Sequence, residues 1–213
     1  MNIAKTVTAK KKRARTIVRI LKRMYPHVPP FLHYTNTWEL LVAVVLSAQC
    51  TDKKVNEVTE RLFRKYRTLR AYVCAPHAAF ARDIYATGFY RSKAKHILGA
   101  AKLIEKRFRG NVPQTMEELL TIPGVGRKTA NIILESAFGK VEGIAVDTHV
   151  RRLARAWKLS SATNPEHIER DLMILIPKKE WPELSRRIIR YGREWCPAKR
   201  HHHEECPMTK CGL

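Results

Sequence analysis

Leu120-Thr-Ile-Pro-Gly-Val-Gly-Arg-Lys-Thr-Ala130, with Ile144-Ala-Val-Asp-Thr-His149 a short way downstream, reads as two helices joined by a tight glycine-bearing turn, with an amine and a carboxylate close by in sequence. Thr115 and Glu118 form a capping box, so a short helix should start near Met116 and run apolar through Leu119 and Leu120 before Pro123 ends it. Gly124 and Gly126 flank Val125, which predicts a backbone that turns through positive φ and brings bare N–H groups to an anion where a second helix starts at Arg127. That helix should run to Phe138, with Ala130, Ile133, Leu134 and Ala137 at helical spacing and Gly139 as a left-handed stop. A plain turn between core helices is the bland alternative and is common for Pro-Gly pairs. Two glycines with Arg127 and Lys128 at the mouth are much less common.

Composition points the same way. The 213 residues carry 41 Lys and Arg against 19 Asp and Glu, a formal net charge of +22 and a pI near 10.2, the footprint of a polyanion binder. A membrane surface would also attract such charge, but no apolar run approaches the roughly 18 residues of a transmembrane helix. Nucleic acid is the expected partner. The length suffices for one sizeable core or two small ones, and 45% apolar content is ordinary for a folded protein.

Residues 1–14 hold Lys5, Lys10, Lys11, Lys12 and Arg13 with no acid before Glu39, and they lack the apolar centre of a secretory signal. A flexible basic arm is expected there, with an organelle transit peptide as the alternative. Beyond it, Pro, Gly and capping residues punctuate helices over about Arg15–Tyr25, Trp38–Leu46 capped by Thr37, Lys53–Tyr66 capped by Asp52, and a segment from near Ser92 to Phe108. Asn164 before Pro165 opens a helix to about Leu175, and Pro182 opens the last one, to Trp195. Isoleucine and valine cluster at helical spacing or in the short Ile144-Ala-Val146, so the fold class is all-α, without sheet or repeat.

Five blocks, in order, resemble the helix-hairpin-helix DNA glycosylase superfamily and, within it, the endonuclease III family. They are Leu46-Ser-Ala-Gln-Cys-Thr-Asp52, Gly88-Phe-Tyr-Arg-Ser-Lys-Ala94, Ile122-Pro-Gly-Val-Gly-Arg-Lys-Thr-Ala-Asn131, Ala145-Val-Asp-Thr-His-Val150 and Tyr191-Gly-Arg193. The likeness spans about Ile17 to Cys211. It implies two helical domains, a barrel of about six helices over residues 32–142 containing the hairpin (about 116–138), and a second domain made from 15–31 and 143–213, with DNA in the cleft between them.

The resemblance also assigns roles. Lys128 matches the catalytic lysine, whose neutral amine would attack the sugar C1′ of a damaged nucleotide, expel the base and leave a Schiff base. In the first turn of the second hairpin helix, the macrodipole and Arg127 both disfavour a further cation there, and nearby phosphates act the other way. Asp147 would stabilise positive charge developing on the deoxyribose and help move protons, while also capping the helix from Thr148. No divalent metal is expected in that chemistry. A flipped-out base leaves a gap; Gln49 matches the polar gap filler and Phe89 the apolar wedge, although capping and core packing are their plain alternatives. Gly124, Val125, Gly126, Arg127, Thr129, Arg91, Lys93 and Lys95 would serve phosphates, with His149 in a supporting DNA contact.

The C-terminus departs from the family. Most members end in four cysteines that hold a [4Fe-4S] cluster. Here Cys196, Cys206 and Cys211 remain, the second position is His203, and the last interval is four residues. Three readings stand: a [4Fe-4S] cluster on Cys196, His203, Cys206 and Cys211, a structural zinc on the same set, or no metal. His201 or His202 could replace His203. Cys50 and Cys74 read as small buried residues.

The expected activity is therefore that of a monomeric bifunctional glycosylase and abasic-site lyase acting on oxidised pyrimidines in double-stranded DNA, in the cytoplasm or nucleoid of a bacterium or archaeon, or in an organelle or nucleus of a eukaryote. A monofunctional glycosylase for mismatched or alkylated bases, and a noncatalytic helix-hairpin-helix module, are the competing readings.

Overall fold

The structure, a computed structural model, describes residues 3–199 and 203–212. In chain order the helices are α1 (Ile3–Met24), α2 (Thr37–Leu46), α3 (Asp52–Lys65), α4 (Leu69–Val73), α5 (His77–Asp83), α6 (Tyr90–Phe108), α7 (Met116–Leu120), α8 (Arg127–Phe138), α9 (Thr148–Ala156), α10 (Pro165–Leu175), α11 (Leu184–Glu194) and α12 (Pro207–Lys210). No strand occurs among the described residues, in line with the all-α expectation. The chain divides into two compact units, one over Pro30–Glu142 and one made from Met1–Pro29 with Gly143–Leu213.

In the Pro30–Glu142 unit, α2 is apolar on every side, and such a helix can only sit at the centre of a core. Every residue from Leu40 to Leu46 is buried, with α3, α6 and α8 packed against it. Tyr66, Tyr72, Phe80 and Trp38 extend this core as an aromatic cluster with centroids 5.1–5.7 Å apart, edge-to-face except for the tilted Tyr66–Tyr72 pair. Tyr72 and Phe80 come from α4 and α5, two short helices that sequence periodicity did not resolve.

The other unit joins distant parts of the chain through α11. The nearly buried guanidinium of Arg187 donates from Nε to Tyr25 O and from Nη2 to Pro26 O, at 2.9 and 2.8 Å, and to the Glu183 carboxylate at 2.8 Å. Tyr25 in turn donates to Glu194 at 2.6 Å. Burial pushes the Glu183 carboxyl up, but the Val28 N–H, the His27 ring and Arg187 outweigh it and hold it below the usual range. This network ties the end of α1 to α11 and explains why one unit is built from both ends of the chain.

Several boundaries differ from expectation, each for a local reason. The expected basic arm is helical from Ile3: Lys, Arg and Ala are good helix formers, nothing upstream of Pro26 breaks the run, and Ala14, Ile17 and Leu21 are buried. Helix α2 is capped by Asn36, whose Oδ1 accepts from Glu39 N at 2.9 Å, so Thr37 lies inside it. Thr51 caps α3, leaving Asp52 in the first turn, where its carboxylate faces the positive end of the macrodipole. Glu183 adopts left-handed backbone (φ 58°) to serve its partners, so α11 starts at Leu184, two residues after Pro182.

Candidate active site

The hairpin forms as its sequence predicts, with one exception. Thr115 Oγ1 accepts from Glu118 N at 3.3 Å and donates to its carboxylate at 2.9 Å, and α7 and α8 occupy the expected residues. The exception is Gly126, which is extended (φ −97°, ψ 177°); only Gly124 turns through positive φ, at +81°. At Gly124 an added Cβ would lie 2.9 Å from His96 Cβ on α6, whereas at Gly126 it would meet nothing within 4 Å. The two glycines thus do different work. Gly124 makes the turn against α6, and Gly126 leaves the start of α8 without a side-chain cap and open to a ligand.

Lys128 stands exposed in the first turn of α8, beside half-buried Arg127 and Thr129. Val125, expected among the DNA contacts, is buried (6% exposed) and its backbone N–H donates to Ile122 O at 3.0 Å, so neither its side chain nor its N–H is placed to meet a phosphate. Gln49 and Phe89 are both exposed, and both adopt the left-handed conformation without being glycine, at φ 52° and 47°. Each such residue costs roughly 1–2 kcal/mol and persists only where its surroundings enforce it. Phe89 is 65% exposed despite its size. Arg91, also exposed, lies over the Tyr90 ring at 5.4 Å, and Lys95 is exposed.

Lys93 corrects the sequence reading. Helix α6 carries it inward with Ala94 and Ile97, and its Nζ, buried, donates to Leu46 O at 2.8 Å and Thr87 O at 2.7 Å. Burial pushes the amine below the ordinary lysine range. It is not placed to meet a phosphate.

In the other unit, Asp147 caps α9, with Oδ1 accepting from Val150 N at 2.8 Å, and the Ile144–Val146 segment before it is buried. His149 is half-buried and packs on α11: its Nδ1 is 3.4 Å from Arg152 Nη2, and a Cβ on Gly192 would come within 2.8 Å of it. Gly192 is therefore the point where α11 closes on α9, a physical reason for the Tyr191-Gly-Arg193 block. Sequence reading missed a cavity of about 1030 Å³ in this unit. Its lining includes Lys10, Arg151, Arg152, Arg155 and Lys158 and, among the described residues, no carboxylate. The available signal was the Arg151/Arg155 pair at i, i+4 spacing on the helix that Asp147 starts.

Near the C-terminus, Cys196 and Cys206 are buried and Cys211 is exposed. Cys206 Sγ and the Tyr191 hydroxyl share a hydrogen bond of 2.6 Å, and Arg152 Nη1 donates to Cys196 Sγ at 3.5 Å. Burial pushes the Cys206 thiol up, and Tyr191 with the Thr209 and Met208 N–H groups outweighs it, holding the thiol below its usual range. Buried sulfurs with thiolate-favouring donors suit metal ligation chemically. Among the described residues, however, no three His, Cys, Asp or Glu groups converge. His203 lies in a short 3-10 turn but its side chain is outside the described residues, as are His201 and His202.

A family model, HhH-GPD superfamily base excision DNA repair protein, matches residues 42–178. Endonuclease III of Synechocystis sp. (strain ATCC 27184 / PCC 6803 / Kazusa) is 47% identical over 208 residues, covering 98% of this chain and 95% of the relative. The chain belongs to the endonuclease III family. Endonuclease III of Bacillus subtilis (strain 168) is 43% identical over 190 residues, covering 87% and 84% of the two chains. Among solved structures, a non-covalent endonuclease III–DNA complex and a trapped endonuclease III–DNA covalent intermediate, an estranged-adenine complex, each match at 41% identity with a TM-score of 0.90 over 94% of both chains. A thermostable thymine-DNA glycosylase, 20% identical with a TM-score of 0.81, shares the fold over 95% of this chain and 96% of its own. No described helix is long and apolar enough to cross a membrane.

The different duties of the hairpin glycines are separable. Gly124→Ala should lower stability by about 1–3 kcal/mol, from strain at positive φ and the clash with His96. Gly126→Ala should leave the melting temperature near that of the parent yet weaken binding to an abasic duplex, as read by thermal unfolding and fluorescence anisotropy. Equal stability loss in both variants would contradict the assignment.

Proposed function

We propose that Lys128 and Asp147 carry the chemistry of a base excision repair glycosylase that is also an abasic-site lyase, acting on oxidised pyrimidines in double-stranded DNA. The observation that carries this reading is an exposed primary amine in the first turn of α8, at a helix start with no side-chain cap. The trapped covalent intermediate of a 41% identical relative supports it, because a glycosylase that uses water alone forms no such adduct.

In this reading the hairpin backbone and Arg127 hold the phosphates. The neutral amine of Lys128 attacks C1′, and the C1′–N bond breaks with its electron pair leaving on the base, which is protonated. The sugar ring then opens to an imine between Lys128 and C1′. Loss of a 2′ proton drives elimination of the 3′ phosphate and nicks the strand. The Asp147 carboxylate stabilises positive charge on the sugar as the base departs. Gln49 and Phe89 occupy the gap left by the flipped nucleotide, and the basic cavity along α9 serves the phosphate backbone.

The C-terminal loop is proposed to hold a [4Fe-4S] cluster through Cys196, His203, Cys206 and Cys211, a reading supported by the buried sulfurs of Cys196 and Cys206. When bound, the cluster would fasten the last residues of the chain to α11; no step of the reaction passes through it. Protein purified without oxygen should contain iron near four atoms per chain. Zinc in its place assigns the site to a structural zinc, and absence of both metals rules out a metal site.

Asp147 permits a clean separation of structure from chemistry, since Asn caps a helix about as well as Asp. Asp147→Asn should keep the melting temperature of the parent while lowering single-turnover base release by roughly 100-fold or more. Lys128→Gln should form no borohydride-stable complex with thymine-glycol or abasic duplexes. Trapping by that variant at the parental level would overturn the lysine mechanism, and base release without strand nicking would favour a monofunctional enzyme.

A further inference from the structure

We propose that Lys93 is a positioning residue for base flipping: its buried ammonium joins the loop that presents Gln49 to the loop that presents Phe89. This rests on the reading of Gln49 and Phe89 as the gap-filling pair. The two segments are 40 residues apart in sequence and have separate helical parents, α2 and α6. Both end in exposed residues with left-handed backbone, a conformation that neither side chain favours.

One amine meets both. Lys93 Nζ donates to Leu46 O, a carbonyl of the last turn of α2 three residues before Gln49, and to Thr87 O, two residues before Phe89. The backbone N–H of the same residue donates to Phe89 O at 3.0 Å. Carbonyls at helix ends lack intrahelical partners, so a buried cation between two of them satisfies both at once and fixes their spacing. Lys93 is 4% exposed, so it acts on DNA only through the two loops it connects. A 1 Å loosening of either would misplace its inserting side chain.

The test is a double-mutant cycle on single-turnover excision of thymine glycol from a duplex, using the full-length protein. Lys93→Met keeps the length of the stem and removes the donors. It should slow excision by roughly 10- to 100-fold in the parent, and by under about 3-fold in the Gln49→Ala, Phe89→Ala background, because a residue acting through that pair has nothing left to position. An equal loss in both backgrounds would show a merely structural role and overturn the inference. Full activity of the Gln49→Ala, Phe89→Ala protein would instead overturn the gap-filling reading, and this inference with it. If Lys93→Met does not fold, Lys93→Gln, which retains N–H donors, replaces it; a smaller loss with the same non-additivity is then expected, and additivity again contradicts the proposal.

Discussion

The turn between α7 and α8 depends on a residue that can hold φ at +81° with no side chain toward His96, and Gly124 is that residue. Everything at the N-terminal end of α8 follows from it. The chain reverses within a few residues of Pro123, Val125 is drawn into the core, and Gly126 delivers the start of α8 without a side-chain cap. Lys128 is then exposed within the same first turn as the open backbone donors. In the proposed reading, an amine there meets the sugar while the backbone grips the neighbouring phosphate through contacts that carry no sequence preference.

The same unit places three strained or buried features around its helix ends. Gln49 and Phe89 take a conformation that costs each of them free energy, and Lys93 puts an ammonium where burial opposes its charge. Such features persist when the surrounding core over-determines them. Here that core is α2, apolar on all sides and buried from Leu40 to Leu46. In the other unit the analogous framework is α11, with Arg187 binding the end of α1, Gly192 admitting α9, and Tyr191 bonded to Cys206. Asp147, as N-cap of α9, is located by that packing.

Much of this was legible in the sequence because it depends on local rules. The capping box at Thr115, the span of α8, the Asn164-Pro165 start of α10 and the left-handed stop at Gly139 are each specified by a few adjacent residues. What was not legible depends on partners far along the chain. Periodicity shows that one face of α6 turns inward, but not that the Lys93 amine finds Leu46 O, 47 residues away, instead of a phosphate. The basic N-terminal residues looked like a solvated arm because charge dominates them, whereas α1 continues through them and brings Lys10 to the α9 cavity. Short α4 and α5 escaped because five and seven residues are too few for a period, and an aromatic cluster drawn from four segments holds them in place.

The central claim is that one particular amine becomes covalently bound to the sugar. Borohydride reduction of the complex with an abasic duplex, followed by nuclease and trypsin digestion and mass spectrometry of the adduct peptide, addresses it directly. The adduct should lie on Lys128, with tryptic cleavage blocked at that residue. An adduct on another lysine or on the chain's amino terminus would contradict it.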